Sequence, residues 1–233
     1  MTAPLSIIIP TLNAERSLLR LLPQLFEGLT EGLIAELIFA DGGSTDQTLS
    51  IAEEAGAKLV SAAKGRGSQL AKGAKEAKGN WLFIVHADST LPDNWCDTLR
   101  DHIEHHPQKA AVFRLAFNDT SLMARITAGW ANLRTRFLNL PYGDQGLLIP
   151  NALYTKIGGY PDIPLMEDVA IAQNLRGNIR LLDAKITTNA DKYQRDGWIK
   201  RGTRNLSTLI RYKLGTSPEV LAKSYNRTNH KSS

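Results

Sequence analysis

This sequence of 233 residues has a single cysteine and no long run of apolar residues. The lone Cys96 excludes an internal disulfide, so we expect a reducing compartment and a packing role for its thiol. No apolar run approaches the roughly 20 residues that a membrane-spanning helix requires, and the first residues have neither the basic nor the apolar region of a secretion signal. We therefore predict a cytoplasmic protein without a membrane-spanning segment.

Acidic residues are scarce near the C-terminus, which leaves that part of the chain basic. The chain carries 28 Lys and Arg against 23 Asp and Glu, a net charge of +5, and much of the excess follows Asp191. A basic segment can bind nucleic acid, anionic lipid or a phosphorylated small molecule. Because aromatic residues are sparse there and no nucleic-acid-binding motif is present, we predict no nucleic-acid partner.

Short apolar runs alternate with helical patterns through the first part of the chain. Each of the first four runs is followed by a predicted helix, and these runs lie at residues 6–10, 37–40, 58–61 and 81–85. This alternation predicts an α/β fold with a mostly parallel sheet, and unbroken apolar runs are typical of strands buried on both faces. Later strands are predicted at residues 110–117, 147–149, 180–184 and 186–188, and a late helix at residues 203–213.

Two of the helical patterns carry additional information. Pro23 lies inside the first predicted helix and is expected to kink or split it. Between residues 121 and 140, large apolar residues recur at helical spacing, namely Leu122, Ile126, Trp130, Leu133 and Phe137. We expect this stripe to cover the sheet or to form a face of a homo-oligomer, and contact with a membrane surface is the alternative.

Polar residues come directly after three of the first four predicted strands. Asn13 lies just past the first strand, Asp41 follows the second, and His86 and Asp88 follow the fourth. In a parallel sheet these strand ends lie along one edge, where open α/β folds bind their ligands. His86 and Asp88 are two residues apart and share one face, so together they can hold a divalent cation that binds a diphosphate. A solvated turn is the alternative for this short pattern.

Two other segments place charge where an anionic ligand would meet it. In Gly65-Arg66-Gly67, the glycines would let the backbone approach a ligand closely while the guanidinium contacts it. Glu167 and Asp168 adjoin the N-terminus of a predicted helix, where the helix dipole favours their ionised forms and one of them can cap the helix.

Four motifs in order resemble those of family 2 glycosyltransferases with the A-type, Rossmann-like fold. They are SIIIPTLN at residues 6–13, DGGSTD at 41–46, His86-Ala87-Asp88 and Glu167-Asp168, and the resemblance covers roughly residues 4–215. More narrowly, GRG at 65–67, HADS at 86–89 and PYGDQG at 141–146 resemble a small bacterial subgroup often labelled as arsenosugar-biosynthesis glycosyltransferases.

This resemblance implies a division of the chain and a flanking segment. Residues 1–190 would form a single glycosyltransferase domain, with a nucleotide-binding half at about 1–90 and an acceptor half at about 91–190. Residues 191–233 would form a basic, helical C-terminal extension.

The resemblance also implies roles for individual residues. Nucleotide-sugar binding is implied for Pro10, Thr11, Asn13, Asp41, Arg66, Ala87 and Asp88. Within that set, Asp41 would hydrogen-bond the base, and Asp88 would hold a divalent metal, Mn²⁺ or Mg²⁺, on the diphosphate. Most family members have an acid where this chain has His86, so His86 is a candidate second metal ligand that suits Mn²⁺ better than Mg²⁺.

On the acceptor side, the resemblance implies that Asp168 is the general base, with Glu167 beside it as a further catalytic residue. The residues implied in acceptor binding or in a lid are Asp144, Gln145, Arg195 and Trp198. Simple packing is an equal alternative for Trp198.

The function implied is inverting transfer of a sugar from a nucleoside-diphosphate sugar, UDP- or GDP-linked, to the hydroxyl of an unknown acceptor. A non-catalytic nucleotide-sugar-binding protein on the same fold is the alternative, because His86 departs from the usual metal-binding pattern. Peripheral contact with the inner membrane face and homo-oligomer formation both stay open at this point.

Overall fold

The computed structural model describes residues 3–230 as one α/β unit. Its strands are β1 (Leu5–Thr11), β2 (Ile34–Asp41), β3 (Lys58–Ser61), β4 (Trp81–Ile84), β5 (Ala110–Phe117), β6 (Leu147–Pro150) and β7 (Ile179–Thr188). Its helices are α1 (Glu15–Thr30), α2 (Thr48–Glu54), α3 (Arg66–Lys75), α4 (Trp95–His105), α5 (Leu122–Leu138), α6 (Asn151–Lys156), α7 (Glu167–Asn174), α8 (Asp191–Asp196), α9 (Trp198–Lys213) and α10 (Pro218–His230).

All seven strands form one sheet in the order β3-β2-β1-β4-β6-β5-β7. The first four strands of the chain pair in parallel, and β5 pairs in parallel with β7. Only β6 runs against its neighbours, since it is antiparallel to both β4 and β5. The predicted mostly parallel, Rossmann-like α/β fold is confirmed.

Apolar layers on both faces of the sheet explain the unbroken apolar runs. Along β1, Ile7 and Ile9 point to one layer, where α1 and α4 pack, and Ile8 points to the other, where α3 and α7 pack. Nearly every residue of β1 and all of β4 are therefore buried on one face or the other, and an alternation of apolar and polar residues is not needed there, whereas the edge strands β3 and β7 expose every second residue or nearly so. Cys96 lies in the first layer, where burial, Glu31 and Glu27 raise the pKa of its thiol to about 12.

Three local predictions are wrong in detail. Pro23 does not split α1, a single helix of 16 residues that contains it, and the expected kink stays a prediction. The two late strands are one strand, β7, and its pairing with β5 shifts register between Val112 and Arg114. The late helix begins at Trp198 instead of residue 203, because α9 follows directly on the Gly197 that ends α8.

Helix α5 is turned opposite to the orientation that the sequence predicts. Its buried residues are small or hydrogen-bonded, namely Ala124, Ala128, Ala131, Arg134 and Thr135. The large apolar residues of the predicted stripe face solvent, each between 48% and 69% exposed. The expectation that this stripe covers the sheet is therefore wrong, because the face that packs against β5 is the one that carries the alanines, Arg134 and Thr135.

The C-terminal helices are held together by a buried acid. Asp196, at the end of α8, forms ion pairs with Arg201 at 2.8 Å and with Arg195 at 3.0 Å. Leu209 of α9 packs against Leu140 and α7. The predicted helical extension is thus present as far as residue 230, and its last three residues lie outside the described part of the chain. The boundary at residue 190 stays a prediction.

Within residues 3–230, no helix is both long enough and apolar enough to span a membrane.

Candidate functional site

The loops that follow β1 and β2 are joined by hydrogen bonds at the carboxyl edge of the sheet. We call this group the turn cluster, formed by Thr11, Asn13, Asp41, Ser44 and Asp46. The Thr11 hydroxyl donates to Asp41 at 3.0 Å, and the backbone amides of Gly43 and Ser44 donate to the same carboxylate at 2.8 Å. The side-chain oxygen of Asn13 accepts from the backbone amide of Thr45 at 2.8 Å, and the backbone amide of Asn13 donates to the Ser44 hydroxyl at 2.9 Å.

Both acids of the turn cluster are held in their ionised forms. Burial alone would raise the pKa of Asp41, but the hydrogen bonds from Ser44, Gly43 and Thr11 together outweigh it and lower the pKa. The pKa of Asp46 is lowered chiefly by its hydrogen bond from the Thr48 hydroxyl. Asp46 also accepts the Thr48 amide at 3.0 Å, just before the start of α2. A carboxylate that accepts several N–H and O–H bonds is a fixed structural anion.

A buried glutamine connects the turn cluster to α3. The Gln69 amide donates to the carbonyl oxygens of Thr11 at 2.6 Å and Ala40 at 2.8 Å. This contact fixes α3 against the ends of β1 and β2. The helix begins at Arg66, so Arg66 occupies its first turn.

Gly67 has a different function from the one that the sequence indicates. A Cβ atom at this position would lie 2.6 Å from the carbonyl oxygen of Pro161 and 2.5 Å from that of Ile163. Glycine is required here because α3 packs directly on the backbone that leads into α7. The expectation that Gly67 admits a ligand is therefore wrong.

A second group of polar residues lies where α3, β4, the turn at Gly143–Gln145 and α7 meet. We call it the cleft cluster, formed by Arg66, His86, Asp144, Glu167 and Asp168. The Arg66 guanidinium is 3.8 Å from the carboxylate of Glu167 and 3.9 Å from that of Asp168. Four of the predicted site segments, widely separated in sequence, therefore converge here.

Gly143 brings two members of the cleft cluster together. Its backbone amide donates to Asp168 Oδ2 at 3.0 Å. A Cβ atom at Gly143 would lie 2.7 Å from His86 Nε2 and 2.9 Å from each carboxylate oxygen of Asp168. His86 and Asp168 therefore face each other across a glycine that leaves the space between them open.

Several polar atoms of the cleft cluster are buried without a hydrogen-bond partner. They are His86 Nε2, Asp144 Oδ1 and Asp168 Oδ1. Buried polar atoms in folded proteins are nearly always paired, and an unpaired one costs about 1–3 kcal/mol. Three such atoms on neighbouring residues are typical of a site that a ligand completes.

Burial and crowding of like charges keep two acids of this cluster partly protonated near neutral pH. Burial, followed by the charge of Asp168, raises the pKa of Glu167 to about 7. Burial also raises the pKa of Asp144 to about 6, although Arg134 opposes the shift. Burial lowers the pKa of His86 well below its usual value, with contributions from Arg66 and Lys192, so its imidazole is neutral.

Arg66 is the central cation of the site. Burial would lower its pKa, but the charges of Asp168, Glu167, Asp88 and Asp144 outweigh burial and raise it. Its side chain is 46% exposed, so it reaches solvent while it faces these acids. Asp88 is half-buried and Ala87 is buried beside it at the end of β4.

The remaining predicted residues lie around this centre in different environments. Gln145 is fully buried, donates to the Phe113 carbonyl at 3.0 Å and accepts from the Thr135 hydroxyl at 2.8 Å, so it supports the turn that carries Asp144. Trp198 stacks on Tyr193 with ring centroids 4.8 Å apart, and Arg195 pairs with Asp196. Pro10 is half-buried at the end of β1.

Two features of the site were missed by the sequence analysis. Lys192, in α8, is near enough to Asp88 for that carboxylate to oppose the lowering of its pKa by burial. No periodicity or motif marks it, because only the folding of α8 over the sheet edge brings it there. The Gly143 amide could have been suspected from the glycine in the PYGDQG segment, but its partner Asp168 could not.

The cleft cluster does not bring three possible metal-ligand atoms of His, Cys, Asp or Glu within 4.8 Å of one another. Among residues 3–230, the group of three such donors within 4.8 Å of one another is Glu27, Glu31 and Cys96, which come from α1 and α4. A cation bound at His86 and Asp88 would therefore need further ligands from its substrate, which is how Mg²⁺ is usually held in phosphate-binding enzymes.

Comparisons with known proteins agree with this architecture. Residues 6–151 match the family model for glycosyl transferase family 2. A PGL/p-HBAD biosynthesis glycosyltransferase of Mycobacterium tuberculosis is 36% identical over 109 residues, which cover 42% of this chain and 40% of that protein. The same values apply to a relative in Mycobacterium bovis. The chain thus matches about two fifths of the length of these curated relatives.

Solved structures share the fold at low sequence identity. TarS 1-349 of S. aureus superposes with a TM-score of 0.64 and 18% identity, covering 93% of this chain and 66% of that one. Glucosyl-3-phosphoglycerate synthase of Mycobacterium tuberculosis, with Mn²⁺, UDP-glucose and phosphoglyceric acid, gives 0.58 and 19%, covering 80% of this chain and 70% of that one. Because the matched residues 6–151 make up more than half of the chain, the chain belongs to glycosyl transferase family 2.

Proposed function

We propose that this protein transfers a sugar from a nucleoside-diphosphate sugar to an acceptor hydroxyl at the cleft cluster. The observation that carries this proposal is the meeting of Arg66, His86 and Asp168 in one cleft, where buried polar atoms lack partners. A cation facing several acids suits a substrate that combines a diphosphate with a hydroxyl to be deprotonated.

The donor that we propose is a uridine-diphosphate sugar. Solved structures of TarS contain UDP and UDP-GlcNAc, and those of the synthase contain UDP and UDP-glucose. On this chain the nucleotide would lie along the turn cluster, with Pro10, Thr11, Asn13 and Asp41 near the base. Arg66, Ala87 and Asp88 would then flank the diphosphate at the end of β4.

The residues at the end of β4 fit a divalent metal. His86 Nε2 is buried and unpartnered, and the low pKa of His86 keeps its lone pair available. His86 and Asp88 would hold the ion, and a nitrogen ligand suits Mn²⁺ better than Mg²⁺. When bound, such a cation neutralises charge on the leaving diphosphate. Arg66 would stabilise the same developing charge from the α3 side.

Asp168 is the proposed general base. One of its carboxylate oxygens is oriented by the Gly143 amide, while the other is buried without a partner and free to accept a proton from the acceptor. Glu167 has a pKa of about 7 and holds a proton that would reduce the repulsion beside Asp168. A single base and no nucleophile predict inversion at the anomeric carbon. Asp144 and Gln145, with Arg195 and Trp198, would border the acceptor.

A non-catalytic sugar-nucleotide-binding protein is the second candidate, because His86 stands where an acid is usual. Turnover distinguishes the two. We expect release of UDP from UDP-sugars in the presence of Mn²⁺ and loss of that activity with a chelator.

The decisive variant pair is Asp168→Asn and Asp162→Asn. Asp162 lies exposed in the loop before α7 and serves as the matched control. We expect Asp168→Asn to reduce turnover by roughly 10²- to 10⁴-fold while Asp162→Asn leaves it unchanged. Equal turnover of the two variants would remove Asp168 as the base, and UDP-sugar binding without turnover by the unmodified protein would favour the second candidate.

A further inference from the structure

Helix α5 exposes a continuous apolar stripe. Its members are spaced four, four, three and four residues apart, so they share one face of the helix, and they are Leu122, Ile126, Trp130, Leu133 and Phe137. The opposite face packs through small residues against β5. A contiguous exposed apolar patch on a folded protein often marks an interaction surface.

Helix α9 contacts α5 and repeats the same pattern. Its outer residues Ile199, Leu206 and Ile210 are exposed, while Thr208 and Leu209 face the core. Two neighbouring amphipathic helices thus both have apolar side chains on their outer faces. The inner faces of both helices already pack against the rest of the protein, so the exposed apolar side chains are not required to complete the core.

The charges on these two helices have a single sign. Neither α5 nor α9 contains an Asp or Glu, although together they carry eight Lys and Arg residues. Part of this charge is used internally: Arg134 donates to the Leu140 carbonyl at 2.8 Å, and Arg201 pairs with Asp196 at 2.8 Å. Arg125, Arg136 and the Lys residues of α9 remain at the exposed surface.

We propose that the outer faces of α5 and α9 bind the surface of an anionic lipid bilayer. Helices with large apolar side chains on one face, flanked by Lys and Arg, insert shallowly at the boundary between headgroups and acyl chains. Arg and Lys at the edges of the stripe add attraction to anionic headgroups. A second copy of the chain fits less well, because pairing these faces would bring the same cations against each other.

This surface is tied to the cleft cluster. Arg134 of α5 lies 3.5 Å from the centre of the Tyr142 ring, and Tyr142 directly precedes Gly143 and Asp144. Docking through α5 would therefore hold the turn at residues 143–145 near the membrane. The inference goes beyond the proposed function, since bilayer binding requires neither donor nor turnover.

The test is flotation of the full chain with unilamellar vesicles. Vesicles of phosphatidylcholine with 30% phosphatidylglycerol, roughly the anionic share needed for a strong surface potential, are compared with pure phosphatidylcholine. We expect the protein to float with the anionic vesicles at low salt, and the bound fraction to fall as ionic strength rises. Absence of binding to anionic vesicles at low salt would overturn the proposal.

Matched variants locate the surface. Substituting Trp130→Ser with Phe137→Ser should weaken vesicle binding by roughly tenfold or more, whereas Leu19→Ser with Phe26→Ser, at exposed positions of α1, should not. Arg125→Gln with Arg136→Gln should weaken it by roughly 10- to 30-fold, whereas Arg16→Gln with Arg20→Gln on α1 should have a smaller effect.

Equal losses in the α5 and α1 variants would place the contact elsewhere and overturn the proposal. Sedimentation of the unmodified protein as a dimer that the α5 substitutions dissociate, without vesicle binding, would overturn it in favour of a second copy. UDP-sugar turnover measured without vesicles is independent of both outcomes, so failure of the docking surface and failure of the proposed function can be distinguished.

Discussion

The turn cluster and the cleft cluster are both built from acids at the same edge of the sheet, yet their electrostatics are opposite. In the turn cluster, Asp41 and Asp46 accept several hydrogen bonds each, and their pKa values are lowered. In the cleft cluster, Asp144 and Glu167 are buried near other acids, and their pKa values are raised to about 6 and about 7.

The difference shows how one fold provides rigidity and reactivity side by side. A carboxylate with all its acceptor sites filled resists movement and holds a loop in a shape that a flat base can meet. A carboxylate with an unfilled, buried oxygen is unstable in the free protein and gains the most from a ligand or a proton. Variants that change a charge or a hydrogen-bond acceptor in one of the two clusters test this distinction directly.

After Asp168→Asn, the largest effect is expected from Arg66→Gln, which removes the cation that faces the acids of the cleft cluster. Turnover should fall by roughly 10²- to 10³-fold because charge on the leaving diphosphate loses a fixed partner. The pKa of Glu167 should rise further. Steady-state kinetics with UDP-sugar provides the measurement, and Lys64→Gln, an exposed cation two residues earlier, is the control. Equal activities would show that Arg66 is only a structural partner of α7.

Next in size is the effect of Asp41→Asn on stability. The amide has one acceptor oxygen where the carboxylate has two, so either the backbone amides of Gly43 and Ser44 or the hydroxyls of Thr11 and Ser44 lose their acceptor. We expect a loss of about 2–3 kcal/mol in the free energy of unfolding. Asp144→Asn in the cleft cluster should cost little or increase stability at pH 8, since it removes a buried charge. Urea denaturation of both variants measures the contrast. A greater loss for Asp144→Asn than for Asp41→Asn would reverse the assignment of the two clusters.

A smaller effect is expected from Gly143→Ala. The added methyl group would meet His86 Nε2 and the Asp168 carboxylate at less than 3 Å, so the two side chains must separate. We expect turnover to fall by roughly 10- to 100-fold, because displacement by about 1 Å can cost that much. Gly202→Ala in α9 is the matched control, since no atom lies within 4 Å of its added Cβ. Loss of activity in both variants would point to a global effect.

The most gradual effect is the pH dependence of stability. Glu167 has an ordinary pKa of 4.5 and a folded-state pKa of about 7, so between these values the native state keeps a proton that the unfolded chain has released. Stability of the metal-free protein should therefore fall as pH rises from 4.5 to 7, by at most about 3 kcal/mol. Asp41 acts in the opposite sense, because its lowered pKa contributes stability that is lost only in acid.

Denaturation curves of Glu167→Gln across the same pH range complete this comparison. The variant should lack most of the decline and should exceed the unmodified protein in stability near pH 8. A parallel decline in both proteins would indicate that Glu167 titrates normally.

Local sequence patterns predicted the fold well where the physics is local. The runs at β1, β2 and β4 are apolar because each strand lies between two helical layers, and the polar residues that end them mark the ligand edge. The position of β6 between β4 and β5 was not predictable, since strand order depends on contacts between distant segments. The same limit hid the hydrogen bond between Gly143 and Asp168.

Helix α5 shows a second limit. Spacing shows which residues share a face but not which way that face points. Leu122, Trp130 and Phe137 have the pattern of a core stripe, yet Ala124 and Ala128 fill the inner space. The space available against β5 determines the orientation of the helix, and the spacing of apolar residues along the sequence gives no information about that space.

The packing of Gly67 has one further effect. Since α3 packs on the main chain at Pro161 and Ile163, the distance between Arg66 and α7 is set by contacts between backbone atoms and not by the charges of Arg66 and the acids of α7. Substitutions that alter the charge of these residues can thus be made without changing that distance. A bulkier residue at position 67 would instead push α3 away from the segment that leads into α7.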